Sequence, residues 1–228
     1  MSNPTSQVFG AETISRTFVE GAQQRRVLTN VSLAIDTGEL VAITGASGSG
    51  KTTLLSILGL LDRDYEGTLR VFGKNVRELS ERELGRLRNE RIGFVFQAFH
   101  LIADATVLDN VLTPALFADR DRIQRRDAEE ALERVGLRDR AESLPRYLSG
   151  GQRQRVAFAR AWAQKTDVLL CDEPTGNLDS KSGREILDLL KSFHSEGKTI
   201  VVVTHSESLA SAATRRISLR DGCIGSSE

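Results

Sequence analysis

Leu40-Val41-Ala42-Ile43-Thr44-Gly45-Ala46-Ser47-Gly48-Ser49-Gly50-Lys51-Thr52-Thr53-Leu54-Leu55 is the stretch that decides the fold. Its first five residues are short, mostly apolar and followed by glycine, the pattern of a strand buried on both faces. The next eight fit the phosphate-loop spacing G-x-x-x-x-G-K-[ST], and the apolar residues beyond predict a helix through Leu60. Glycines let backbone N–H groups turn inward, and a helix N-terminus adds unpaired donors and the positive end of its dipole. Gly45, Ala46, Ser47, Gly48, Ser49 and Gly50 are therefore candidate phosphate-binding residues. Lys51 is placed to reach the β- and γ-phosphates, and the Thr52 hydroxyl to bind Mg2+, with Thr53 beside it. Four fixed positions arise by chance in about one chain in a hundred of this length, so the flanking strand and helix are what make the match specific.

Working outward, residues 27–35 alternate in part like a half-buried strand, and Asp36-Thr37-Gly38 is turn chemistry. Residues 168–171 and 199–203 are short, continuous apolar runs, which predict parallel strands covered by helices. Ser80-Glu81-Arg82-Glu83 fits a capping box that opens a helix towards Asn89. Helices are also predicted over 122–135, closed by Gly136, and over 152–163 and 182–194. Early strands read as antiparallel and later ones alternate with helices. Residues 98–155 hold few strand candidates. The expectation is one α/β domain over 1–228, a phosphate-loop core with an antiparallel β-subdomain and an inserted helical subdomain over about 98–155.

A second acid narrows the chemistry. After residues 168–171 comes Asp172-Glu173-Pro174, carboxylates delivered at the end of an apolar strand. In a phosphate-loop enzyme an Asp there holds Mg2+, and an adjacent Glu is placed to deprotonate the attacking water. Pro174 is expected to keep Glu173 extended. Leu148-Ser149-Gly150-Gly151-Gln152 then precedes the helix over 152–163, which puts Ser149 and two glycines at a helix N-terminus. Five fixed residues arise by chance in fewer than about one chain in a thousand. The chain thus carries two anion-binding devices about a hundred residues apart. They serve one nucleotide if two copies meet head to tail.

With these motifs the sequence resembles the nucleotide-binding subunits of ABC transporters over nearly its whole length. The resemblance implies an ATPase that takes ATP and Mg2+. It implies that Gln97, after Gly93-Phe94-Val95-Phe96, contacts the metal and couples to a membrane partner. By the same likeness Asn177-Leu178-Asp179 lies at a dimer interface, and His205 sits near the γ-phosphate. Phe18, in Ser15-Arg16-Thr17-Phe18, stands where the family places an aromatic that stacks on adenine; core packing is the alternative for such a ring. Arg86-Leu87-Arg88-Asn89, Phe99-His100-Leu101-Ile102 and Thr106-Val107-Leu108-Asp109-Asn110-Val111 look like the lipoprotein-releasing and macrolide-export branch. Ala46, Thr52, Ala103-Asp104-Ala105 and Gln164-Lys165-Thr166 depart from that branch. The first two keep the chemistry, and the other two lack a proline common there.

Composition sets the outer limits. The 228 residues carry 31 Lys+Arg against 31 Asp+Glu, a balance that argues against a nucleic-acid or polybasic membrane binder. Two cysteines make no disulfide framework. The longest apolar runs are about ten residues, short of the roughly 20 that span a bilayer. The partners implied are a second copy of the chain and an integral membrane permease encoded separately, with no nucleic acid. The location implied is the cytoplasm, peripheral on the inner face of the cell membrane. The rival reading is an ABC-type ATPase without transport, such as a cell-division regulator. His100 and His194 read as surface residues, the charged run over 120–130 as a solvated helix face with docking as its alternative, and Arg153 and Arg155 as helix-surface or packing residues.

Overall fold

The computed structural model describes residues 7–21, 23–117 and 123–225, and the chain divides into two units, one over 1–84 and 199–228 and the other over 85–198. In the first unit, β1 (Gln7–Glu20) pairs antiparallel with β2 (Gln23–Asp36) on one side and β4 (Glu66–Val71) on the other, and β5 (Lys74–Asn75) extends β4. Phe9, Ile14, Leu28, Val31, Ile35 and Leu69 are wholly buried. Register shifts interrupt the β1–β2 ladder between Ala11 and Ile14 and again between Arg16 and Thr17. Such bulges bend a strand and re-aim its side chains. They break the period-two pattern, and β1 has no counterpart among the strands expected from hydropathy.

The same unit contains β3 (Leu40–Thr44), flanked in parallel by β8 (Thr199–Val203) and β9 (Arg215–Arg220), with β10 (Cys223–Ile224) antiparallel to β9. All of β8 and the first four residues of β3 are buried, as continuous apolar runs require when both faces are covered. α1 (Lys51–Leu58) lies against β8, and α7 (Glu207–Ala212) against β3. α2 (Glu81–Glu90) opens as expected: the Ser80 N–H donates to Glu83 Oε2 at 2.9 Å, and the Glu83 N–H donates back to Ser80 Oγ at 3.3 Å.

In the second unit β6 (Ile92–Phe96) and β7 (Val168–Asp172) run parallel, with Ile92 opposite Val168 and Phe96 opposite Asp172. α5 (Gly150–Ala163) packs on β6, and α3 (Val107–Leu112), α4 (Arg125–Arg134) and α6 (Ser180–Ser195) pack on α5. α4 ends at Gly136, as the sequence suggests, with a φ of 66° that glycine supplies without strain. Residues 118–122, the start of the expected helix and of the charged run, lie outside the described residues. The rest of that run is not uniformly solvated. Asp127 is buried, accepts from the Gln124 N–H at 2.8 Å and pairs with Lys165 at 2.8 Å. A buried carboxylate is tolerated here because a cap and a cation satisfy it.

Residues 101–106 lack the expected proline, and a buried side chain sets their path instead. Asn110 is fully buried. Its amide donates to the carbonyls of Ile102, Ala105 and Thr106, and its oxygen accepts from the Ile102 N–H at 2.6 Å. Asn110→Leu keeps the branched heavy-atom skeleton but orphans these groups, so it should cost about 2–4 kcal/mol in urea unfolding. The Lys165 ammonium, by hydrogen bonding, holds the Asp127 carboxyl below the usual carboxylate range. A depressed folded-state value contributes stability above the unfolded one, near pH 4, and loses it as pH falls further. Asp127→Asn should therefore flatten the acid limb of the stability curve.

Candidate functional site

The phosphate loop is built by close backbone approach. Gly45 has φ 150°, and a Cβ there would lie 2.0 Å from the Leu219 carbonyl oxygen. Gly50 is the residue before α1, with φ 100°, and a Cβ would meet Leu28 Cδ2 at 2.7 Å and the Val27 oxygen at 2.8 Å. Only glycine allows either contact, so β2 and β9 fix the loop from two sides. The Gly222 N–H adds a bond to the Ser49 carbonyl at 3.2 Å. Ala46, Ser47 and Gly48 form the exposed crown, while Ser49 and Gly50 are buried. Lys51 is 6% exposed, and its ammonium donates to the carbonyls of Gly45 and Ala46 at 2.9 Å each. Thr52 is exposed and Thr53 half-buried in the first turn of α1.

Phe18 is not a core residue. It is 38% exposed, and it joins Thr52, Thr53, Ser56, Leu61, Asp62, Arg63 and Asp64 around an open hollow of about 660 Å³. Three charged side chains, Arg16, Asp62 and Asp64, support it. Arg16 places its guanidinium 4.2 Å from the Phe18 ring centroid and pairs with Asp62 at 2.8 Å and Asp64 at 2.5 Å. The pairs join residues 46 and 48 positions apart. No spacing rule reaches that far. His205 follows β8 and is exposed, just after Thr204, whose N–H donates to Ile43 at the end of β3.

The second unit gathers the other candidates. In-register pairing of Phe96 with Asp172 delivers Gln97 and Glu173 at the same end of the β6–β7 ladder. The Gln97 amide donates to Asn177 Oδ1 at 3.1 Å, and Gly176 makes room for it, since a Cβ there would lie 2.9 Å from Gln97 Nε2. Glu173 is not extended. Its φ is 45°, in the left-handed region, and its carbonyl accepts from the Gly176 N–H at 3.0 Å. The turn that brings Gly176 and Asn177 back to Gln97 overrides the bias that proline exerts on the residue before it. Asp172 and Glu173 are half-buried.

Ser149 caps α5. Its Oγ accepts from the Gln152 N–H at 3.2 Å, and Gln152 Oε1 accepts from the Ser149 N–H at 2.8 Å. Gly150 follows, and Gly151 lets α6 come close, because a Cβ on Gly151 would lie 2.5 Å from Ser182 Oγ. Asp179 caps α6, accepting from the Lys181 and Ser182 N–H groups at 2.9 Å each. The backbone and hydroxyl of Ser182 hold its carboxyl below the usual range. Arg153 lies over the Phe99 ring at 5.1 Å, and Arg155 donates to the Val135 carbonyl at 3.0 Å, so both act as packing residues. Arg160, absent from the sequence reading, donates to the His100 carbonyl at 2.8 Å and the Phe99 carbonyl at 3.2 Å. His100 is exposed and His194 half-buried.

Among the described residues no group of three His, Cys, Asp or Glu side chains could hold a metal, and no helix is long and apolar enough to cross a membrane.

The chain is similar to known proteins over most of its length. A family model described as ABC transporter matches residues 28–176. The macrolide export ATP-binding/permease protein MacB of Shewanella sp. (strain W3-18-1) is 50% identical over 214 residues, 93% of this chain and 33% of that protein. MacB of Psychrobacter arcticus is 47% identical over 97% of this chain and 33% of its own length. The chain thus spans about a third of the curated relatives it matches. Among solved structures, the dimeric structure of MJ0796, a bacterial ABC transporter cassette, superposes with a TM-score of 0.90 at 42% identity, covering 96% of this chain and 97% of that one. A post-hydrolysis dimer of MJ0796 bound to ADP and Pi gives a TM-score of 0.89 at 41% identity.

Gly48 and Gly50, two of the three loop glycines, should respond differently to alanine. Gly48→Ala meets only Arg25, at 3.9 Å, and pays conformational strain alone, about 1–2 kcal/mol. Gly50→Ala also drives a methyl group into Val27 and Leu28, so thermal unfolding should show a clearly larger loss, with nucleotide binding lost as well.

Proposed function

The chain belongs to the ABC transporter family, and from that premise we propose that it binds and hydrolyses ATP to power an integral membrane permease of the export branch. The observation that carries the reading is the phosphate loop, Gly45–Thr52, in which two glycines are irreplaceable and a buried Lys51 stands over the loop. In the proposed cycle two copies close head to tail on two nucleotides. The loop N–H groups, Lys51 and Thr53 take the phosphates of one nucleotide, and Ser149, Gly150, Gly151 and Gln152 of the second copy take its γ-phosphate. The Ser149 oxygen already accepts from Gln152, which leaves its O–H to donate. Thr52, Asp172 and Gln97 would hold Mg2+, which when bound offsets charge on the phosphates.

Glu173 acts as general base towards water, and its left-handed backbone fixes where the carboxylate leaves the strand. Lys51 and His205 stabilise charge on the transferring phosphoryl group. Phe18 stacks on the adenine, and Asp179 faces the dimer interface, where its cap orders the start of α6. Loss of the γ-phosphate removes what joins the copies, and Gln97 carries the change to the permease. A cassette of this kind works at the inner face of the cell membrane. In the MacB relatives, ATP-binding and permease functions share one name and a protein about three times as long.

Lys51→Ala should abolish ATP turnover in a phosphate-release assay. Glu173→Gln should keep ATP binding, slow turnover by about 100-fold or more, and elute as a dimer with ATP on size exclusion. Hydrolysis by Glu173→Gln at the wild-type rate would remove the assignment of the base, and undiminished turnover by Lys51→Ala would remove the phosphate site.

A further inference from the structure

Arg16 lies on β1 with only 9% of its surface exposed. Burying a guanidinium is unfavourable unless its charge and donors are met. Here Nε donates to Asp62 at 2.8 Å, while one terminal nitrogen donates to Asp64 at 2.5 Å and to the Thr17 carbonyl at 2.7 Å. Asp62 is held in turn, since its second oxygen accepts from the Asp64 N–H at 3.0 Å. The guanidinium fixed in this way sits 4.2 Å from the Phe18 ring centroid. Phe18 keeps part of its surface open towards the hollow shared with Thr52, Thr53 and Ser56 at the start of α1.

A cation held over one aromatic face occupies that face and is attracted to the ring. It leaves the other face for a planar ligand and holds the ring in one rotamer, so stacking costs less side-chain entropy. With two carboxylates matching its charge, Arg16 is itself a poor ligand for phosphate. We infer that Arg16 is a positioning residue for the nucleotide base, acting through Phe18, with Asp62 and Asp64 as its anchors. The inference rests on the nucleotide-binding reading above. It assigns a division of labour along the nucleotide: the glycine loop and Lys51 hold the phosphates, and the Arg16–Phe18 pair holds the base.

Inorganic tripolyphosphate separates the two ends, because it has phosphates and no base. Calorimetric titration of MgADP and of tripolyphosphate is compared for wild type, Arg16→Leu, Phe18→Ala and the double variant. Arg16→Leu should weaken MgADP about fivefold and raise the KM for ATP with kcat held. It should leave tripolyphosphate unchanged and add nothing in the Phe18→Ala background. Equal weakening of both ligands, full additivity with Phe18→Ala, or unchanged MgADP affinity overturns it. Should Arg16→Leu not fold, Asp64→Asn removes one anchor at a carboxylate 86% exposed, and about a twofold loss on MgADP alone is expected; no loss overturns the inference. Wild-type protein that fails to bind MgADP would sink the functional reading and the inference together. Binding that is indifferent to Phe18→Ala and Arg16→Leu would sink the inference alone.

Discussion

Close approach of backbone to backbone around the phosphate loop is the constraint on which the first unit depends. Gly45 lies against the Leu219 carbonyl and Gly50 against Val27 and Leu28, at separations that exclude a side chain. Three strands therefore meet at one loop: β3 leads into it, β2 supports its end and β9 its beginning. The arrangement explains why glycine is required at both ends of the loop. The β2 and β9 carbonyls serve as walls against which those glycines pack. It also explains the burial of Lys51, whose charge is met by two loop carbonyls rather than by a carboxylate.

In the second unit the constraint is strain held at chosen residues. Glu173, Phe99 and His100 all have positive φ, a conformation that costs of order 1–3 kcal/mol for a residue with a side chain. Each is held by hydrogen bonds. The Glu173 carbonyl takes the Gly176 N–H, and Arg160 on α5 takes both the Phe99 and His100 carbonyls. Burial pushes the Arg160 guanidinium down from its usual range. The segment after Gln97 is thereby tied to the helix that begins at Gly150. Two of the proposed functional elements thus share one support, α5.

What could be read from the residues alone follows a physical division. Short-range features were legible: the loop with its glycines, the Ser80/Glu83 and Ser149/Gln152 capping boxes, the parallel strands at 40–44, 168–171 and 199–203, and the Gly136 stop. Each depends on residues within one turn or one strand. Long-range features were not. β1 escaped because bulges at Ala11/Ile14 and Arg16/Thr17 scramble its alternation. Arg16, Asp62 and Asp64 escaped because their pairing is a matter of tertiary distance. Glu173 was expected to be extended on a local proline rule, and a turn closed by Gly176 and Asn177 outweighed it. Asp127 was expected in solvent as part of a charged run; one Lys165 ammonium makes its burial tolerable.

Helix termini set the two capped helices of the second unit apart. A helix leaves its first N–H groups without intrahelical acceptors. In α6 the Asp179 carboxylate takes the N–H groups of Lys181 and Ser182, and its negative charge faces the helix dipole, so that terminus has no further need of an anion. In α5 the cap is neutral. Ser149 and Gln152 satisfy one another, and the N–H groups of Gly150 and Gly151 remain beyond the reach of that box. A neutral cap leaves the dipole unmatched. Gly151 is also where Ser182 presses closest, so α6 holds this terminus in place without neutralising it. The complement proposed for α5 is negative charge from outside the unit. In the proposed dimer that charge is the γ-phosphate, seated on the phosphate loop of the other copy.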